Sequence, residues 1–242
     1  MKYYILALTA VFIHISCERN QPGMVLIPEG KFTLGIRPDE KVARFISDMT
    51  LSLNAQPFQK LHLNAFLMDK YEVTYEAFRR FKPILEYKVE DVIEPIRGIT
   101  WYEADAYCLA QKKRLPTEIE WEKAARGTDE RLFVWGSEFD REHANFGKRV
   151  RPIGHASGDI STYGVSDMNG NVSEWTANWY QPYPHSKYKD KLYGKKVKVL
   201  RGGSFHKMEH GFMKEFVMLP YRNFAPPNKR FWDTGFRCAQ SL

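Results

Sequence analysis

Two helix starts, at Thr100 and Thr117, sit close together in a chain that otherwise shows little regular patterning, and they limit most what it can fold into. Thr100-Trp101-Tyr102-Glu103 and Thr117-Glu118-Ile119-Glu120 each place Glu three residues after a capping threonine, so that side chain and backbone satisfy each other's orphan amides. Ala104, Ala106, Tyr107 and Ala110 continue the first helix at helical spacing. Pro116 interrupts any continuation through Lys112-Lys113-Arg114-Leu115. The second helix is expected to end near Arg126, with Gly127 as a left-handed stop. Upstream, Gly23–Gly35 reads as two short strands joined by the Pro28-Glu29-Gly30 turn, and Phe66–Val73 as another strand. Thr74 then caps a short helix over Tyr75–Phe81. After Gly127, Gly, Asn, Asp and Ser recur every few residues and apolar runs stay short. The expectation is one loop-rich α+β domain.

Composition narrows the function classes. With 43% apolar and 27% charged residues, wholesale disorder is excluded. The 14% aromatic content calls for an aromatic core or a recognition surface. A net charge of +7 favours an anionic partner or membrane surface only weakly, and no nucleic-acid partner is expected. Ser186–Lys198, with six Lys among two Tyr, reads as a solvated, mobile basic loop.

The N-terminus has its own signature. Lys2 precedes an apolar run, Tyr3–Ile13, too short to span a bilayer and of secretory length. It runs into His14-Ile15-Ser16-Cys17 and then polar Glu18-Arg19-Asn20-Gln21. This is similar to a bacterial lipoprotein signal, with His14 where such signals usually carry Leu. Residues 1–16 are expected to be a signal peptide, Cys17 the lipidated residue, 17–22 a short tether and 23–242 the domain. The expected location is the bacterial periplasm or outer surface, with a lipid anchor in the membrane. A plain cleaved signal is the alternative. Cys108 and Cys238 remain in the domain, either as two buried thiols or as one bridge. Neither lies in a Cys-x-x-Cys motif.

Five further stretches carry a resemblance. They are Trp101–Cys108 continuing into Lys113-Arg114-Leu115-Pro116-Thr117-Glu118-Ile119-Glu120-Trp121-Glu122, Asp69–Thr74, Tyr163–Trp175, Arg201-Gly202-Gly203-Ser204-Phe205, and Gly235-Phe236-Arg237-Cys238. With Gly23-Met24-Val25 they stand in the order found in the sulfatase-modifying-factor family, founded by the formylglycine-generating enzyme, and the chain resembles that family from about residue 23 to its end. The resemblance implies a C-type-lectin-like α+β fold with little regular secondary structure. It also implies a disulfide between Cys108 and Cys238.

The same resemblance removes a chemistry. Family members carry two copper-binding cysteine thiolates just after the Gly-Gly-Ser-aromatic strand, ligands whose softness suits Cu(I). Here those positions are Lys207 and Phe212, so no copper and no conversion of a substrate cysteine to formylglycine are expected. Related sulfoxide synthases add a helical domain with a three-histidine iron site, and the few residues between Cys17 and the first strand leave no room for it there. Calcium is retained in expectation. The family's loop before its Glu-Trp pair maps onto Asp167, Gly170, Val172 and Glu174, hard oxygen donors for a structural Ca²⁺. A second family site begins at Asn145-Phe146, but its Asp-x-aromatic partner has no clear counterpart before Tyr163. Separately, His206-Lys207-Met208-Glu209-His210 fits His-x-x-Glu-His. It would hold a metal through His206 and His210, with Glu215 as a guessed third ligand, only if helical.

Three functions follow as expectations. The first is a non-catalytic binding or scaffold module at the cell envelope. It would take a protein or envelope ligand through Lys207–Thr234, with Phe212, Phe216, Tyr221, Arg222 and Trp232 facing it. The second is a metal-dependent enzyme rebuilt around His206 and His210. The third is a structural subunit of an envelope complex.

Overall fold

The computed structural model describes residues 23–38, 49–83, 92–206 and 214–242. The signal, the tether, Cys17, Lys207, His210 and Phe212 lie outside the described residues.

Each sequence-predicted cap is formed. Thr74 accepts a hydrogen bond from the Ala77 amide and opens α1 (Tyr75–Phe81). Thr100 and Glu103 close a reciprocal box at the start of α2 (Trp101–Ala110), as Thr117 and Glu120 do for α3 (Glu118–Arg126). Gly127 follows α3 with φ 75° and ψ −139°. Its φ is positive as expected, but its ψ lies outside the left-handed helical well. Packing also calls for glycine here, since a Cβ would lie 2.6 Å from Thr162 Oγ1.

The strands are short and split among three sheets. The first sheet sets β1 (Met24–Ile27) against β4 (Phe66–Asp69), which pairs on its other side with β9 (Ala239–Ser241). β2 (Gly30–Leu34) pairs with β3 (Gln59–Leu63), so the Pro28–Gly30 turn joins strands of different sheets. Lys123 Nζ fixes that turn, donating to the carbonyls of Pro28 (2.5 Å) and Gly30 (3.3 Å). In the third sheet β5 (Ser173–Trp179) lies between β6 (Lys198–Arg201) and the parallel β8 (Thr234–Gly235), and β7 (Asn223–Ala225) edges β6. Among the described residues no helix is long and apolar enough to cross a membrane.

Ser186–Lys198 departs from the expected free loop at its end. Lys198 is buried in β6, its Nζ lying over the rings of Trp101 (3.6 Å) and Trp179 (4.1 Å). Tyr193 packs beside Tyr180, while Lys187, Lys189, Lys191, Lys195 and Lys196 stay exposed.

Cys108 and Cys238 are joined by a disulfide at the centre of the main apolar cluster, among Phe78, Tyr107, Trp175 and Phe236. Charge also enters the interior. Helix α3 buries Glu118, Glu122 and Arg126 one turn apart, and they meet Arg201 of β6 and Arg222. Glu122 accepts from Gly35 N (2.8 Å), Arg126 Nη1 (2.8 Å) and Arg201 Nη2 (2.5 Å). Glu118 takes Arg222 in a two-pronged pair.

Glu103 joins three parts of the chain, accepting from the Thr100 amide, Lys82 Nζ and Arg230. Burial opposes its ionisation, but Arg230, Lys82 and Thr100 outweigh that and hold the carboxyl down at about 2. A depressed carboxyl stabilises the fold above its ordinary value of 4.5, and this is lost as pH falls toward about 2. Glu103→Gln should therefore flatten the fall in stability between those two pH values. Urea midpoints measured across the range test this, and an unchanged slope would refute it.

Candidate functional site

The loop expected to bind calcium wraps a buried ionic cluster. Asp159 receives the amides of Met168, Asn169 and Gly170 at 2.9–3.1 Å, a carboxylate seated in a nest of backbone donors. Asp167, at φ 58°, accepts from Gly154 N at 2.6 Å. Asn171, also at positive φ, donates to Glu72 (2.8 Å), and the Val172 amide meets the other oxygen of Glu72 at 3.2 Å. Glu174 is held by Arg237 through Nε and Nη2 (2.7–3.0 Å) and by Trp121 Nε1 (3.0 Å). Arg237 also donates to the carbonyls of Asp69, Lys70 and Ser166.

Asp167, Gly170 and Val172 lie on the loop before β5 and Glu174 at the start of that strand, where it already carries a guanidinium. The charge around it is still unbalanced. Glu72, Asp159, Asp167 and Glu174 are all buried, and Arg237 is the guanidinium among them. Burial, then Asp167 and Glu174, raise the Glu72 carboxyl well above the usual range. Burial and Asp167 push Asp159 up to about 7. Hard oxygen donors of the kind calcium takes are present, but the Glu174 carboxylate is already taken by Arg237 and Trp121 Nε1. Sequence reading missed Glu72, Asp159 and Arg237 as members of this cluster. Two of them lay inside recognisable stretches, Asp69–Thr74 and Gly235–Cys238, but nothing local marks a charge as buried.

At Asn145, where a second calcium site was doubtful, the side chain is used within the fold. Its Nδ2 donates to Arg149 O and Asn171 Oδ1, and its Oδ1 accepts from Gly147 N. The space beside it is lined by Arg141, Arg151 and His155, which disfavours a metal cation.

In the segment after β6, Gly203 is packed so closely that a Cβ would sit 2.9 Å from Asn169 O. Ser204 Oγ donates to the buried Asp233 at 2.6 Å. His206 is half-buried, its ring beside Phe205, and its Nδ1 has no hydrogen-bond partner among the described residues. His210 lies outside the described residues, so the His206/His210 pair is not brought together here. Among the described residues no group of three His, Cys, Asp or Glu could hold a metal ion. Both described cysteines, Cys108 and Cys238, are spent in the disulfide.

The expected ligand-facing set needs correction. Arg222 is fully buried because Glu118 and the carbonyls of Asn54 and Gln181 bind its guanidinium. Tyr221 is buried beside Phe216, which packs partly into the Phe133 cluster. Among the described members of the set, Trp232 is exposed, at 57%.

Comparison with known proteins agrees with this architecture. Residues 12–242 match the sulfatase-modifying factor enzyme 1-like domain. The chain is 27% identical to the mouse inactive C-alpha-formylglycine-generating enzyme 2, over 94% of this chain and 90% of that protein. It is 34% identical to hercynine oxygenase of Mycobacterium tuberculosis over 64% of its own length, and spans 39% of that enzyme. PvdO from Pseudomonas aeruginosa shares the fold, with a TM-score of 0.70 at 24% identity over 90% of this chain and 94% of that one. The capped helices, the cystine, the buried arginines and the match over nearly the whole length place this chain in the sulfatase-modifying factor enzyme 1-like domain family.

Proposed function

We propose that this is an exported family member without formylglycine-generating oxidase chemistry, lipid-anchored through Cys17, and acting as a calcium-stabilised binding or scaffold module at the cell envelope. One observation carries the reading. The two cysteines of the domain are tied to each other, and the family resemblance puts Lys207 and Phe212 at the positions of the copper thiolates. Neither ammonium nor phenyl offers a ligand to Cu(I). A relative covering 94% of the chain is itself named inactive, which supports the same reading. Calcium would be held by the carboxylates of Asp167 and Glu174 with the carbonyls of Gly170 and Val172. Its role would be structural, fixing loops that lack hydrogen-bonded secondary structure. Trp232, with Tyr102 and Leu109 also exposed, offers apolar surface for a protein or envelope ligand.

Metal content of the mature domain, purified without chelator, tests this by mass spectrometry. About one equivalent of calcium and no transition metal is expected. If calcium stands at about 100 times its dissociation constant, chelation should remove about 2.7 kcal/mol of stability, lowering the midpoint by roughly 5–10 °C. Stoichiometric copper, zinc or iron lost on His206→Ala would overturn the reading in favour of an enzyme. The anchor is tested by Cys17→Ser, which should release the protein from the membrane fraction.

A further inference from the structure

We propose that the cleft between residues 141–147 and 151–158 is a binding site for a tetrahedral oxyanion, the phosphate or sulfate group of a small ligand. The cleft has a volume of about 410 Å³. Its walls carry Arg141, Asn145, Arg151, His155 and Ser157, with Glu142 as the opposing charge. No carboxylate among the described residues pairs with the guanidinium of Arg141 or Arg151. The nearby Asp140 accepts from the Glu142 amide and lies 3.1 Å from His143 Nδ1.

The frame is fixed although it is made of loops. Asn171 Oδ1 accepts from the Arg151 amide (3.0 Å) and from Asn145 Nδ2 (2.9 Å), tying both walls to the loop beneath. Asp167 anchors Gly154, next to His155. Arg151 is half-buried and Arg141 exposed. Two arginines, a histidine and a serine thus line one space from its two walls. A tetrahedral oxyanion uses such an array more fully than a planar carboxylate, and Arg forks match its edges two bonds at a time.

Calorimetry with inorganic phosphate and with glycerol 1-phosphate on the whole domain tests the site. One equivalent should bind, with a dissociation constant of about 1 mM or below for the better ligand. Arg141→Gln and Arg151→Gln should each weaken it by about tenfold, the loss of a charge-assisted fork. Lys187→Gln, on another exposed segment, should leave it unchanged. Preference for the ester marks a ligand-borne group, equal binding a free anion, and both support the site. Amide shifts of Ser157 and Gly158 on phosphate titration provide a readout on wild-type protein should a variant misfold. No saturable binding at about 10 mM, or equal binding by the folded double variant, would overturn the proposal.

Discussion

Glu122→Ala should abolish cooperative folding, or leave a domain weaker by about 3–5 kcal/mol, the cost of breaking a buried ion pair from one side. Glu122 is fully buried and bonds the Gly35 amide, Arg126 and Arg201. Removing it leaves two buried guanidiniums facing a gap. Arg201 would keep Tyr183 and the Leu219 carbonyl, and Arg126 the carbonyls of Thr33, Gly35 and Arg131. Those dipoles satisfy hydrogen bonds but do not neutralise charge. The neighbouring Glu118 is already committed to Arg222 and lies 3.8 Å from Arg201. Arg201 and Arg222 would then share the Glu118 carboxylate. Against a typical total of about 5–15 kcal/mol, such a loss is large. Glu122→Gln, which keeps the acceptors and loses only the charge, should cost less. Urea unfolding of the three proteins decides the matter. A Glu122→Ala midpoint and slope equal to the parent's would show that the network adds nothing to stability.

This network also explains what was legible in the sequence. The Leu115–Glu122 stretch, the Arg-Gly-Gly-Ser strand and the Gly-Phe-Arg terminus were readable as landmarks, and the structure shows them meeting in space. Glu122 meets Arg201, and Arg237 meets Glu174. They encode a scaffold, which is why fold and family could be read while a ligand could not. Helix starts were readable because capping is local, involving residues three apart. The burial of Tyr221 and Arg222 was not, because aromatic and basic residues compose recognition surfaces and buried ion networks alike. Asp159 was silent for a related reason. Its partners are the backbone amides of 168–170, which no side-chain pattern announces. Calcium donors could be matched on one stretch, but not the Glu72 and Arg237 charges that surround them from elsewhere in the chain.

Removing the disulfide, as the Cys108→Ala/Cys238→Ala pair, should lower stability by about 5 kcal/mol and the melting midpoint by roughly 10–20 °C. The bridge closes a sequence separation of 130 residues, so the reduced chain regains a large loop entropy when unfolded. Both residues are fully buried, and alanine keeps their surroundings apolar, so the change reads the crosslink with a small packing loss. The fold around the bridge should persist. Cys238 is also held by Asp69, its amide to the carboxylate at 3.0 Å and its carbonyl by the Asp69 amide at 2.9 Å. Ala239 and Arg114 exchange backbone hydrogen bonds at 2.7 and 2.9 Å beside it. The double variant should accordingly keep its native circular dichroism at low temperature and lose it earlier on heating. A reductant should reproduce the shift in the parent and leave the variant unmoved. This links stability to location: at that cost the domain is far more stable where thiols are oxidised, the environment expected beyond the cytoplasm. Equal midpoints for parent and variant, with the bridge proved intact in the parent by mass, would remove the crosslink from the account and leave the Asp69 and Arg114 contacts to hold the C-terminus.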